Sequence, residues 1–210
     1  MSTTDTGTEQ RILDAAHAVF LRRGTAGARM QEIAAEAGVN KALLHYYFRS
    51  KERLAEAVFQ RVARRVLPPV FGILGSTDPI EAKVEQVVQH YMTAFQESPY
   101  MPGYVLCELN HHPQRILRLM ESVTGVPFDG FVPRVLTILG EQIEARVRAG
   151  EMRPITAAQF AVNLISLCLF PFAASPLLKV GFGWGQEGFD AFIAERRKEL
   201  PVFFLNALRS

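Results

Sequence analysis

Two short helical patterns on either side of Gly38 restrict the possible folds of this 210-residue chain more than any other feature. Residues 30–37 and 41–47 both repeat apolar side chains at helical spacing. Between them, Gly38 can adopt the positive φ of a tight turn, and Ala34 is small enough for two helices to cross closely. The expected inward-facing residues are Ile33, Ala37, Val39, Leu44 and Tyr47. This combination predicts a helix-turn-helix, with a helical hairpin formed by chance as the alternative.

Helix signals recur along the rest of the chain, while strand signals are nearly absent. A capping box at residues 6–9 begins the first pattern, and Gly24 ends it. Ser50 caps a later helix, which Pro68 and Pro69 are expected to break. Further on, one helix is expected to end near residue 119 and a long one to cover residues 128–148, and Thr156 caps the helix after it. We therefore predict an all-α fold of about nine helices. In this prediction residues 1–50 form a three-helix domain with the helix-turn-helix, in which residues 1–7 are disordered, and residues 51–210 form a larger helical domain.

Charge is distributed unevenly along the chain, although the net charge is only +2. Residues 1–67 hold 11 Lys and Arg against 7 Asp and Glu, whereas residues 68–210 hold 12 against 14. A basic N-terminal third suits contact with a polyanion. The first 20 residues contain no basic segment followed by an apolar run, so the expected location is the cytoplasm.

Residues 154–178 form a 25-residue stretch without charge, which is long enough to cross a membrane. Polar residues and prolines interrupt the stretch, among them Gln159, Asn163 and Pro171. They favour a helix that is buried in the protein or in a subunit interface over a membrane span. This helix and the last one, over about residues 189–208, have surplus apolar surface. The sequence predicts a homodimer joined through these last two helices, with no membrane partner.

Two segments carry a resemblance to a known family. They are RILDAAHAVFLRRG at residues 11–24 and MQEIAAEAGVNKALLHYYFRSKERL at residues 30–54. Together they resemble the DNA-binding domain of the tetracycline-repressor (TetR) family, over about residues 8–66, and the remainder is similar in size and helical layout only. The resemblance implies a homodimeric transcriptional regulator, usually a repressor, that a small molecule releases from a palindromic DNA operator. It implies a C-terminal domain for ligand binding and dimerisation.

The second short helix supplies most candidate contacts to DNA. Its leading turns carry Lys41, Ala42, Leu43 and His45, where a helix entering the major groove meets base edges, although Lys41 could contact phosphate instead. The resemblance implies phosphate contacts for Tyr46 and Lys51. This sequence departs from the family at three positions: the family commonly has Thr or Ser in place of Arg29, Gly in place of Ala42 and Tyr in place of His45. The predicted DNA-binding residues are Arg29, Asn40, Lys41, Ala42, Leu43, His45, Tyr46 and Lys51.

A polar cluster and several aromatic residues are candidates for contact with a small molecule. Cys107 and His111, like Glu108 and His112, are four residues apart and share a helix face. The two pairs point about 100° apart, so a single metal site is awkward, and a polar rim before Pro113 is the plain alternative. The predicted effector-binding residues are Tyr91, Phe95, Tyr104, Cys107, Glu108, His111 and Phe131.

The sequence leaves two alternatives for the chemistry of the effector. Met and aromatic side chains suit a lipophilic molecule. If Glu108 faces the rings, a lipophilic cation is favoured, and if Glu108 is exposed, a neutral molecule is. A regulator without any effector is the alternative function. No metal site or cofactor is predicted, and no catalytic signature is present, so we do not expect an enzyme.

Overall fold

The computed structural model describes residues 3–111 and 113–210, except for the side chains of residues 3–6, 108, 115, 116, 123 and 128. Within these ranges the chain forms eleven α-helices and no strand, which confirms the all-α prediction. The helices are α1 (Thr3–Gly27), α2 (Met30–Glu36), α3 (Lys41–Phe48), α4 (Lys51–Leu74), α5 (Ile80–Glu97), α6 (Met101–His111), α7 (Pro113–Thr124), α8 (Phe128–Arg148), α9 (Ala157–Ala173), α10 (Ser175–Phe182) and α11 (Gln186–Asn206).

The first three helices and the beginning of α4 share one buried apolar cluster, which ends at Val58; we call residues 3–58 the head. In the described part of the chain helix α1 begins at Thr3, and the disorder expected over residues 1–7 stays a prediction. Gly7 costs a helix only about 1 kcal/mol, and the helix extends through it. At Gly24, where a stop was predicted, φ is +66° and the helix is interrupted.

The connecting helix α4 joins the head to the second cluster, formed by residues 59–210, which we call the body. The predicted break at Pro68 and Pro69 is wrong, because α4 continues to Leu74. The two prolines remove hydrogen bonds to the carbonyls of Arg64 and Arg65, which lie on the exposed side of the helix where water can replace them. Since α4 contributes to both clusters, the division predicted after residue 50 stays a prediction.

The body packs five long helices around one core, with α5 against α4 and α11, and α9 against α5 and α8. Helix α8 has the bounds that its sequence pattern predicts, and Thr156 caps α9 by accepting a hydrogen bond from the Gln159 amide at 3.2 Å. Lys83 is fully buried and fixes the end of α4: its ammonium donates to the Leu74 carbonyl at 2.9 Å and to Gln142 Oε1 at 2.6 Å.

Two prolines explain why the described residues form more than nine helices. Pro113 begins α7, which divides a region predicted as one helix, and Pro176 lies in the first turn of α10. Proline is favoured at such a helix start. The uncharged segment therefore becomes α9 and α10, bent by 66°. By length and composition this bent pair could span a membrane, whereas none of the single helices described is long and apolar enough.

Candidate nucleic-acid interface and cavity

The turn between α2 and α3 has the geometry of a helix-turn-helix. Gly38 has φ +63°, and the Val39 amide donates to the Ala34 carbonyl at 3.0 Å. Asn40 caps α3, since its side-chain oxygen accepts a hydrogen bond from the Leu43 amide at 2.7 Å. This cap orients the first turn of α3, and ion pairs between Arg22 and Glu36 and between Arg23 and Glu32 hold α2 against α1.

The side chains of α3 divide into a buried and an exposed arc. Leu44 and Phe48 are buried and Tyr47 is half-buried, which fixes the helix on the head. At 100° per residue the opposite side is continuous. It presents the exposed side chains of Lys41, His45, Ala42, Tyr46 and Leu43. These are the five residues of this helix that the sequence analysis selected. Their shared exposed face is a convex surface of the width that a major groove accepts.

The remaining DNA-binding candidates surround this face, and they differ in exposure and in the hydrogen bonds they already make. Arg29 is exposed and makes no side-chain cap for α2, so its guanidinium is available to a ligand. Lys51 is half-buried, and its ammonium donates to the Ala26 carbonyl at 3.0 Å, which leaves two of its three N–H groups. Tyr46 is 75% exposed and stands edge-on to Tyr47, with ring centres 5.5 Å apart.

A cavity of about 390 Å³ is enclosed by residues of α4, α5, α6, α7, α8 and α9. Among the lining side chains that the structure describes, none is charged, and Tyr91 carries the single hydroxyl. Burial raises the pKa of Tyr91, so this hydroxyl stays a neutral donor. Phe95 stacks on Tyr91 with ring centres 5.1 Å apart. A groove of about 690 Å³ between α8 and α9 combines apolar side chains with the charged Glu144, Arg148 and Arg153, so it suits a neutral apolar molecule less.

Helix α6 places its cavity-lining residues and two of the predicted effector-binding residues, Tyr104 and Cys107, on opposite faces. Met101, Val105 and Leu109 repeat every four residues and line the cavity, whereas Tyr104 and Cys107 face a separate cleft of about 450 Å³ beside the head. The effector-binding residues predicted from the sequence therefore do not all line the same cavity.

Of the predicted effector-binding residues whose side chains the structure describes, only Tyr91 and Phe95 line the cavity. His111 is exposed beside Cys107, and Phe131 packs behind the cavity wall against Phe71, with ring centres 5.0 Å apart. The Glu108 side chain and His112 lie outside the described residues.

The head and the body meet at Tyr100, a contact that sequence reasoning missed. Its hydroxyl lies 2.6 Å from Nδ1 of His17, and its ring is edge-on to Phe20, with centres 5.8 Å apart. The next two residues, Met101 and Pro102, line the cavity. The local sequence carries no signal for this contact, since His17 and Tyr100 are 83 positions apart.

Metal binding finds no support in the part of the chain that the structure describes. There, no three His, Cys, Asp or Glu side chains lie close enough together to hold an ion. The thiol of Cys168 is buried, and burial raises its pKa to about 12. A buried neutral thiol of this kind acts as a small apolar side chain.

Comparison with known proteins gives a consistent set of relatives. The sequence model described as "Bacterial regulatory proteins, tetR family" matches residues 12–58. An HTH-type transcriptional repressor of Streptomyces coelicolor is 34% identical over 84 residues, covering 40% of this chain and 42% of the relative. The HTH-type transcriptional regulator RutR of Escherichia coli is 37% identical over 152 residues, covering 70% of this chain and 65% of its own length. The chain thus spans about half the length of the curated relatives it matches.

Solved structures agree with this fold along nearly the whole chain. The hemolysin II transcriptional regulator HlyIIR has a TM-score of 0.59 at 23% identity and covers 98% of this chain and 99% of its own. A ketosteroid transcriptional regulator of Mycobacterium tuberculosis has a TM-score of 0.65 at 14% identity, with coverages of 96% and 95%. At such identities the likeness extends to the fold and no further.

Proposed function

This chain belongs to the tetR family of bacterial regulatory proteins, and on that premise we propose that it is a DNA-binding transcriptional repressor released from its operator by a neutral lipophilic molecule. Its relatives are named as transcriptional regulators, which confirms the expectation that it is not an enzyme. The observation that carries the proposal is the exposed face of α3, with the cationic side chains of Arg29, Lys41 and Lys51 on and beside it.

Binding to DNA is divided between two kinds of side chain in this proposal. Ala42, Leu43 and His45 lie on the leading turns of α3 and meet base edges, where apolar groups favour the methyl group of thymine. Tyr46, Lys41, Lys51, Arg29 and Asn40 surround them and bind the backbone. Phosphate contacts position the helix but carry no sequence information. Operator choice therefore depends on the three residues named first.

The effector is a neutral molecule because of the chemistry of the cavity wall. Burying an unpaired charge in an apolar cavity costs several kcal/mol, and the described lining offers no opposite charge. The Tyr91 hydroxyl can donate one hydrogen bond, which suits a ligand with a hydroxyl or carbonyl oxygen at one end. A volume of about 390 Å³ lies within the usual range for small-molecule sites. The effector-free alternative requires a core without such a cavity.

The signal passes from the cavity to the head through the beginning of α6. A ligand against Met101 and Pro102 displaces the adjoining Tyr100, which contacts His17 and Phe20 in the head. Release of DNA requires that the ligand bind the displaced conformer more tightly than the DNA-binding one. Helix α4, which carries residues of both buried clusters, transmits the same displacement from the other wall of the cavity.

Two copies form the active molecule, as in the dimeric regulators of this family. We propose that α9 and α11 make the contact, since Val162, Phe170, Val202 and Phe203 on these helices are 55–63% exposed. Phe192, also on α11, stacks on Trp184 with ring centres 5.0 Å apart and is half-buried. It supports the fold of its own chain.

Selection of genomic DNA by the purified protein tests the proposal. Bound fragments are sequenced, and we expect enrichment of a palindrome with half-sites about 34 Å apart. A fluorescent copy of that operator is then titrated with 1-decanol and with decylammonium, which differ in charge. We expect the neutral alcohol to weaken DNA binding by roughly 5- to 150-fold and the cation to have less effect.

Each part of the proposal can fail separately in this experiment. Absence of any enriched palindrome contradicts the DNA-binding role. Operator binding that no neutral lipophilic compound weakens contradicts the effector and favours the effector-free alternative. Stronger release by the cation contradicts the neutral chemistry of the site.

A further inference from the structure

Helix α10 lies on the surface with an apolar outer side. None of its residues is buried, and Leu177, Val180 and Phe182 are 70%, 83% and 64% exposed. Its one charged side chain, Lys179, donates to Gln186 Oε1 at 2.7 Å and lies 5.0 Å from the centre of the Phe189 ring. A helix in contact with water ordinarily carries charge on its outer side. An exposed apolar surface of this kind indicates an interaction site.

The helix is fixed in position by specific contacts. Gly183 ends it with φ +67°, and the Trp184 amide donates to the Lys179 carbonyl at 2.8 Å. The Trp184 ring stacks between Phe182 and Phe192, with centres 4.7 Å and 5.0 Å away. Since Phe192 belongs to α11, this stack attaches α10 to the body. The apolar side is therefore presented in one orientation.

The exposed apolar surface continues onto the two neighbouring helices. Seven of the thirteen large apolar side chains that are exposed in the described part of the chain belong to α9, α10 and α11. A single residue, Ala174, separates α9 from α10, and α9 itself has no charged residue. Helix α10 packs against both α9 and α11, so its exposed apolar side chains adjoin the proposed dimer surface.

The area available on α9 and α11 is small for a stable dimer. Each of their four exposed apolar side chains can bury on the order of 100 Å². The total of roughly 400 Å² is less than the roughly 500 Å² of apolar area that a homodimer interface of the usual 800 Å² per partner contains. The three side chains of α10 add roughly 300 Å² by the same measure. With α10 included, the apolar surface exceeds that requirement.

We propose that α10 packs against a second copy of this chain and extends the dimer contact made by α9 and α11. This inference rests on the dimer of the proposed function. In a two-fold dimer each copy contributes the same surface, so the two α10 helices contribute equally. A lipid surface fits less well, because membrane-bound helices of this kind are rich in Lys and Arg, and α10 has one lysine that is already engaged.

Sedimentation equilibrium of the full chain tests the contact. A double variant, Leu177→Gln and Val180→Gln, keeps good helix formers in α10 and changes only exposed side chains. We expect its dimer dissociation constant to rise at least tenfold, with an unchanged circular dichroism spectrum. The matched control is Leu106→Gln, which changes a 40% exposed leucine on α6 and should dimerise like the wild type.

A third variant, Phe203→Asp, separates this inference from the dimer itself. If Phe203→Asp is monomeric while the α10 double variant dimerises like the wild type, the α10 contact is refuted and the proposed dimer remains. If both variants dimerise normally, the surface of α9 and α11 is refuted as well. Flotation with phosphatidylcholine vesicles that the double variant loses would assign α10 to lipid and overturn the proposal.

Discussion

At the scale of single residues, the orientation of His45 determines what α3 can recognise. Its Nδ1 lies 3.1 Å from the Arg49 carbonyl, which only accepts hydrogen bonds, so Nδ1 carries the proton. In the neutral ring Nε2 is then an acceptor, directed away from the helix end. An acceptor matches the amino groups of adenine and cytosine in the major groove. Arg49, with φ +39°, is kept at the end of α3 partly by this contact.

Substitution of His45 and Lys51 should therefore have different effects on DNA binding. We expect His45→Ala to change the preferred base at one position, with a cost of about 1–3 kcal/mol at the original operator. Lys51→Ala should weaken binding to all sequences alike and lower the salt slope by about 0.9. Fluorescence anisotropy over a salt series measures both effects, with Arg118→Ala on α7 as a control. Sequence-dependent losses for Lys51→Ala would contradict its assignment to phosphate.

The stability of the chain should depend on pH through His17. Burial, followed by the charges of Arg61 and Arg65, lowers the pKa of His17 below its usual value of 6.5. The unfolded chain thus binds a proton more readily, so the free energy of unfolding should decrease as pH falls below about 6.5. The contribution is fully present above that pH. Urea unfolding between pH 7.5 and 5.5 measures it, and His17→Gln should show a shallower dependence.

At the scale of elements, α6 lies between the cavity and the head. One face lines the cavity, the other faces the head, and Tyr100 precedes its first residue. Removing the Tyr100 hydroxyl leaves the ring contact with Phe20 but abolishes the hydrogen bond to His17. We expect Tyr100→Phe to bind 1-decanol as the wild type does, while decanol releases less DNA. Parallel titrations of ligand binding and operator release measure this, and equal release by both proteins would exclude Tyr100 from the coupling.

The buried ammonium of Lys83 should stabilise the junction of α4, α5 and α8. Lys83→Met keeps the packing of the stem but leaves the Leu74 carbonyl and Gln142 Oε1 without this donor. An unsatisfied buried acceptor costs about 1–3 kcal/mol. We expect a loss of about 2 kcal/mol in urea unfolding, after part of the cost of burying the charge is recovered. Unchanged or increased stability would mean that burying the ammonium costs at least as much free energy as its two hydrogen bonds contribute.

Local sequence patterns predicted the ends of those helices whose limits are set by residues within or next to the helix itself. Gly38, the Ser50 and Thr156 caps and the bounds of α8 are short-range features, and they are confirmed. Pro68 misled the prediction because tertiary packing of Val70 and Leu74 keeps α4 helical beyond it. The sequence grouped Tyr104 and Cys107 of α6 with Tyr91 and Phe95, because residues that share a helix face do not reveal which neighbouring helix that face contacts. Contacts such as His17 with Tyr100 depend on the assembled fold.

At the scale of the whole molecule, the proposed function makes DNA binding by two heads depend on the contact between two bodies. Phe203 is 63% exposed on α11, and an aspartate there would bury a charge in the proposed dimer contact. We expect Phe203→Asp to remain folded, to sediment as a monomer, and to lose the advantage of binding two half-sites at once. Its affinity for a single half-site should remain, because α3 lies in the separate head cluster. Anisotropy on full and half operators measures the difference.

The matched substitution Phe192→Asp distinguishes this dimer effect from a general loss of stability. Phe192 is half-buried and stacks on Trp184 within its own chain, so we expect a lower free energy of unfolding and weaker binding to both operators. The ratio of full-operator to half-operator affinity should then fall for Phe203→Asp but remain near the wild-type value in the folded fraction of Phe192→Asp. If Phe203→Asp keeps the wild-type ratio, the two heads are joined through another surface than α9 and α11.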